Sequence, residues 1–248
     1  MPYEADPPTY NPSVMADYGV LERTLTDALQ LTRRPVAVAF RDEPPDGVAR
    51  LEGAQPSGCT FWSIAAEGRV FYTAPEDHYN CPIGSYTHHI PLPKEREHEL
   101  TDTLSLMSDL GYIRMAEVPQ VPRLEKTPAA TVYSPLADTP TAPDAVIVTG
   151  TPGGLMLLHE AAARTGVSST SLLGRPTCMA IPAALSSGFA SSLGCVGNRI
   201  YTGLDDEEFY TVIRADKLAA LAEEMMTITA ANVMLTQYHR NRQAAITA

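Results

Sequence analysis

The chain has 248 residues, 44% of them hydrophobic and 19% charged, an apolar share that can bury a core and excludes a disordered polymer. Eighteen basic against 29 acidic side chains leave a formal net charge of -11. Such a surface repels phosphate backbones and anionic lipid, which argues against nucleic acid and membrane partners.

Residues 1–16, with prolines at 2, 7, 8 and 12, read as a flexible N-terminal arm ahead of a single α/β domain over 17–248. Asp17 is a candidate N-cap for a helix carrying Leu21, Leu25, Ala28 and Leu29 on one face, ended by Arg33, Arg34 and Pro35. Pro35 to Phe40 is apolar throughout and predicts a buried central strand, followed by a turn-rich loop from Asp42 to Gly47. A helix starts at Cys59 and stops at Gly68, and Arg69 to Thr73 reads as a strand. A polar loop from Ala74 to Asn80 leads into the turn Cys81-Pro-Ile-Gly84. Lys94 to Leu110 carries a helical stripe through Leu100, Leu104 and Met107, with Gly111 as its stop, and prolines 119, 122 and 128 mark a linker. Strands are predicted over 129–133 and 145–149, and Gly150-Thr-Pro-Gly-Gly154 breaks into a helix over 155–164. A short helix over 178–185, a strand over 189–193, a tight turn over 194–199 and a last strand over 208–214 follow. Asp216 caps a long closing helix whose stripe through Leu218, Leu221, Met225 and Ile228 either closes the core or pairs two subunits as a homo-oligomer. The alternation of strands and helices predicts an α/β or α+β fold, a mixed sheet flanked by helices.

The segment from Cys59 to Cys81 resembles that from Cys178 to Cys195. Each opens on a cysteine at a helix start, passes a glycine, enters a short strand and ends on a second cysteine near glycine. The resemblance allows two pseudo-repeat halves, 17–118 and 128–248, although no fixed period repeats. No apolar run approaches the roughly 20 residues that span a bilayer. The acidic, proline-rich start is unlike a secretory signal. A reducing cytoplasm is the expected location, and there four cysteines are not a disulfide framework.

The cysteines are therefore either buried small hydrophobes or thiolates with a chemical task. Cys59 and Cys178 stand at helix starts, where free N–H groups stabilise a thiolate. Cys81 and Cys195 sit in turns that let backbone pass close to a bulky inorganic group. Iron–sulfur clusters and zinc both take three or four such thiolates, but the CxxC spacing that marks their commonest sites is absent from the sequence. His78, three residues before Cys81, is either a ligand or proton donor or a solvated loop histidine. His88 and His89 point to different sides of any regular element. Arg199, next to Asn198, either clamps a substrate carboxylate or pairs with the acidic run from Asp205 to Glu208. Gly153 and Gly154, at a strand-to-helix turn, suit an anion or simply turn the chain.

The segments PVAVAF (35–40), Cys59-Thr-Phe-Trp, the Cys81 turn, GRPTCMAIPAAL (174–185) and SLGCVGNRIYTGL (192–204) together resemble the domain-of-unknown-function family 169, DUF169. These are prokaryotic proteins without a general biochemical assignment, and the resemblance runs from the first helix to the last. It implies that the Cys, Gly and Arg positions belong to the family pattern, without saying what they bind.

The leading expectation is a cytoplasmic enzyme with an iron–sulfur cluster on Cys59, Cys81, Cys178 and Cys195, performing redox or lyase chemistry on a small polar or anionic substrate. Arg199 and His78 are the catalytic candidates, and Asn198, Arg199, Gly153 and Gly154 the substrate-binding ones. Four ligated thiolates suit electron transfer and imply a redox partner, whereas three leave an open iron as a Lewis acid. The rival reading is a cofactor-free small-molecule binding or sensory protein with structural cysteines. A haem or flavin protein using the Gly150–Gly154 turn, and a cysteine-nucleophile enzyme, are further alternatives.

Overall fold

The computed structural model describes residues 17–247, so the arm expected over 1–16 lies outside the described residues. Asp17 starts the first helix, α1 (Tyr18–Leu29), by accepting the Val20 N–H at 3.0 Å. The uninterrupted apolar runs become β1 (Val36–Arg41) and β4 (Ala145–Gly150), paired antiparallel in the middle of the sheet with Ala37 opposite Val146. Central strands need apolar residues on both faces because both faces are covered, which is why neither run alternates.

Between them lie α2 (Cys59–Ala66), β2 (Phe71–Thr73), α3 (Pro82–Thr87), α4 (Glu97–Asp109) and β3 (Ala130–Pro135). After β4 come α5 (Pro152–Arg164), β5 (Ser168–Ser171), α6 (Thr177–Ser187), β6 (Gly188–Ser192), α7 (Val196–Thr202), β7 (Phe209–Arg214) and α8 (Leu218–Thr247). The seven strands form one mixed sheet in the order β2-β3-β1-β4-β7-β6-β5, antiparallel except for the β5–β6 pair. The order reads alike outward from its centre: β1, β3, β2 on one side and β4, β7, β6 on the other. On each side a helix with a cysteine in its first two residues, α2 or α6, precedes β2 or β6, and a short helix capped by a cysteine, α3 or α7, follows it.

Helices cover both faces, as an α/β fold requires. On one, α2 and α6 pack Phe61, Trp62, Ile181 and Ala184 against Val38, Tyr133, Ile147 and Tyr210. On the other, α1, α5 and the start of α8 pack Leu25, Leu29, Leu155, Leu158 and Leu221 against Val146, Val148 and Ile213.

Several local expectations change. The strand β5, Ser-Ser-Thr-Ser, carries no apolar side chain to announce it and is held as an edge by its pairing with β6. The polar loop after β2 contains a 3-10 turn, Pro75–His78, because Asp77 accepts the Ala74 N–H at 2.7 Å and pairs with Arg50 at 2.8 Å. The tight turn expected over 194–199 is largely α7, and the expected linker holds a second 3-10 turn, Met115–Gln120. Asp216 lies within a 3-10 turn, Ala215–Lys217, and binds the Arg214 guanidinium at 2.7 Å rather than starting α8 as a lone cap. The continuous helical stretch Ala215–Thr247 has a window of mean hydropathy 1.3, long and apolar enough by length and composition to cross a membrane, against the expectation that no run is. Its first turns are part of the core, and Met226, Val233, Met234, Leu235, Tyr238 and Ile246 further along are exposed.

Candidate functional site

All four cysteines line one cavity of about 620 Å³ at the helix-covered edge of the α2–α6 layer. Each is delivered by the start of a helix: Cys59 is the first residue of α2, Cys178 the second of α6, and Cys81 and Cys195 are the N-caps of α3 and α7. Residues scattered over 137 positions of chain meet because α2–α3 and α6–α7 run over the same face. Glycine is required between two of them. A Cβ at Gly84 would stand 2.9 Å from Cys81 Sγ and 3.9 Å from Cys178 Cβ, so its absence keeps the space between these cysteines open.

The sulfurs are chemically inequivalent. Cys59 and Cys178 are both buried, and each shifts the ionisation of the other. The Cys178 thiol donates to Cys59, and this pulls the Cys59 pKa down to about 6 against the opposing cost of burial. The Asn198 side chain, the Thr177 backbone N–H and Ser57 also stabilise the Cys59 thiolate. The same hydrogen bond, with burial, raises the Cys178 pKa well above its ordinary value. Burial raises Cys81, with the Cys59 charge adding to it, and burial raises Cys195 as well. Cys81 Sγ accepts the Ser57 hydroxyl at 3.7 Å and Cys195 Sγ the Asn198 N–H at 3.3 Å.

Asn198 stands beside the cysteines. It is buried, lines the cavity and donates its Nδ2 to Thr177 Oγ1 at 2.7 Å, which ties the start of α6 to α7. Arg199 does not face the cavity. Its guanidinium donates to the carbonyls of Asp205 and Leu193 at 2.7 Å and of Glu208 at 2.9 Å, bracing the loops on either side of α7. The acidic run does engage this arginine, chiefly through backbone carbonyls, with the Asp206 carboxylate at 3.7 Å.

His78 is buried behind the cysteines instead of solvated, with Nε2 2.8 Å from Thr73 Oγ1 and its ring 5.8 Å from that of His88. It is not among the residues lining the cavity. His88 and His89 do diverge: His88 is buried, and exposed His89 bonds the Leu124 carbonyl at 3.0 Å. Gly153 and Gly154 lie on the opposite face of the sheet. There Thr151 caps α5 through the Gly154 N–H, and a Cβ at Gly154 would meet the Leu29 carbonyl oxygen at 2.4 Å. Gly154 therefore serves the packing of α5 on α1.

Much of the cavity wall comes from residues that carry no functional signal in the sequence. The stripe with Leu104 and Met107 on α4 faces the cavity rather than a core. Val118, Val121 and Pro122, in the expected linker, extend that wall, and Arg175, just ahead of Cys178, stands at the mouth with Tyr112. The one available signal was Arg175 itself, inside the GRPTC stretch. Among the described residues no group of three or more His, Cys, Asp or Glu side chains is arranged to hold a single metal ion.

A family model described as "DUF169: Uncharacterised ArCR" matches residues 24–224. The chain is also similar to the uncharacterized protein MJ0308 of Methanocaldococcus jannaschii, with 27% identity over 214 residues, covering 81% of this chain and 90% of the relative. No solved structure matches.

Proposed function

We propose a function from two premises: the chain belongs to the DUF169 family of uncharacterised ArCR proteins, and its four cysteines face one cavity. On this reading the protein is a cytoplasmic enzyme that holds an iron–sulfur cluster on Cys59, Cys81, Cys178 and Cys195 and acts on an organic substrate bound above it. The observation that carries it is the shared cavity. Four helix starts each bring a thiol to this cavity, and a four-thiol donor set without carboxylates is the set such clusters take. A single ion needs ligands converging on one point, whereas a cluster is several atoms wide and takes thiolates from different sides of a space. The room that Gly84 leaves beside Cys81 and Cys178 suits the wider group.

When bound, the cluster would supply electron transfer with four protein ligands, which requires a redox partner, or Lewis acidity with three. The chain's own residues prepare the site. Cys178, Asn198 and Ser57 hold Cys59 as the thiolate, the form that ligates. Ile83 and Met179 put apolar surface beside the sulfurs.

Anaerobic production under cluster-supporting conditions, followed by iron and sulfide analysis and a visible spectrum, tests the reading. Iron with sulfide, and loss of both in Cys59→Ala, is the expected result. An iron-free, colourless protein overturns it. The second reading, a cofactor-free binding protein, is favoured by the burial of Cys59 and Cys178 within the apolar core. It expects Cys→Ser changes to alter stability by about 1–3 kcal/mol and to leave ligand binding intact.

A further inference from the structure

One wall of the cavity consists of α4 and the 3-10 turn Met115–Gln120, and none of the residues in either element is buried. Leu104, Met107, Ile113 and Val118 nevertheless line the cavity, facing Leu172 and Met179 across it. α4 packs on α3, but its Leu104 and Met107 are only half-buried and open onto the cavity, and a concave site of this volume is where a small molecule completes such packing. The rim continues the pattern: Leu173 is 73% exposed and Tyr112 43% exposed.

The polar part of the mouth is sparse and lopsided. Arg175 has a fixed backbone, its carbonyl accepting the Tyr210 hydroxyl at 2.5 Å and its N–H donating to Ser192 Oγ at 3.1 Å. Its guanidinium is not so held. It lies 5.3 Å over the Tyr112 ring, and the nearest carboxylate, Glu117, stands 3.9 Å away while pairing with Arg114 at 2.6 Å. Among the described residues no acceptor comes within hydrogen-bond distance of the Arg175 side chain, which leaves its planar fork open to a carboxylate.

We propose that the cavity binds an amphipathic organic acid, its aromatic or aliphatic body against the α4 wall and its carboxylate on Arg175. This goes beyond the cluster reading and narrows the substrate expected from the sequence: the ligand is anionic, but its body is apolar rather than polar. It needs the cavity as a binding site and does not need the iron.

Calorimetric titration of the full chain, cluster-free and reconstituted, with 2-naphthoate, decanoate, 2-naphthamide and succinate provides the test. The two amphipathic acids bind at one per chain, 2-naphthamide binds about tenfold more weakly than 2-naphthoate, and succinate does not bind. Arg175→Gln brings the acid down to the amide. Met107→Asp removes binding of both, and Leu173→Asp, at an already exposed position with φ of 51°, weakens both without threatening the fold. Met234→Asp on the exposed part of α8 changes nothing. Binding of succinate, equal affinity for acid and amide, no binding of either amphipathic acid, or loss of binding in Met234→Asp but not in the cavity variants overturns the proposal. Acid binding without iron would refute the cluster and leave this inference standing; iron without acid binding would do the reverse.

Discussion

Cys59 and Cys178 are pushed in opposite directions, Cys59 towards the thiolate and Cys178 towards the thiol, and the chemistry of the cavity begins with that asymmetry. Cys178 is the largest stabiliser of the Cys59 thiolate, so Cys178→Ala raises the Cys59 pKa from about 6 towards the ordinary thiol range. In the metal-free protein, ultraviolet thiolate absorbance followed against pH should lose its lowest-pH step in this variant. An unchanged step would show that Asn198 and the Thr177 N–H suffice. The histidines behind the site are titratable in the opposite sense. Burial holds His78 down to about 4 and His88 to about 3, so both are neutral in the fold. Below an unfolded pKa of 6.5 the unfolded chain takes up protons that the folded chain refuses, so their stabilising contribution is complete above that pH and is lost as pH falls. Each contributes a loss of about 2–3 kcal/mol between pH 6.5 and about 4.5. Both His88 ring nitrogens lack a partner, and its ring lies 5.9 Å from that of Phe40. His88→Phe should therefore flatten the acid limb of a urea-denaturation series and stabilise the protein at neutral pH.

At the scale of the element, packing decides what a glycine is for. Gly154→Ala drives a methyl into the Leu29 carbonyl and should cost about 2–4 kcal/mol as α5 shifts from α1. Gly153→Ala, one residue earlier in the same helix with nothing within 4 Å, should be neutral or gain up to about 1 kcal/mol. Thermal melts of the pair distinguish the packing role from an anion site, which both changes would disturb. The elements themselves were legible wherever burial and periodicity agree: β1, β4, α1 and α6 are marked by apolar runs or capped stripes. β5 was not, because its stability comes from backbone pairing with β6. Of the cavity lining, the four cysteines and Asn198 stand among the residues the sequence singles out. The site was not legible in α4, since an apolar stripe looks the same whether it faces a core or a cavity. Nor was it in Arg199 and His78, whose roles depend on carbonyls and rings distant in sequence.

The whole molecule joins a core that carries the family match to a helix that leaves it. The match ends at residue 224, and the buried side of α8 ends almost there, at Leu218, Leu221, Ala222 and Met225, with Ile228 packed partly against the same layer. Stability therefore depends on the first two turns or so of α8. Met225→Ala opens a cavity between α8 and the sheet and should cost about 2–5 kcal/mol. Ending the chain after Asn232 removes Val233, Met234, Leu235 and Tyr238, all exposed, and should change the unfolding free energy by less than about 1 kcal/mol. That truncation also strips an apolar helical surface for which the core has no use, so any self-association or vesicle binding of the full chain should fall with it. Urea unfolding of the two variants, with sedimentation and vesicle flotation of the truncated chain, checks the division. A truncated chain that unfolds as readily as Met225→Ala would mean that the exposed part of α8 is structural after all, and that the core needs more of this helix than its packed turns.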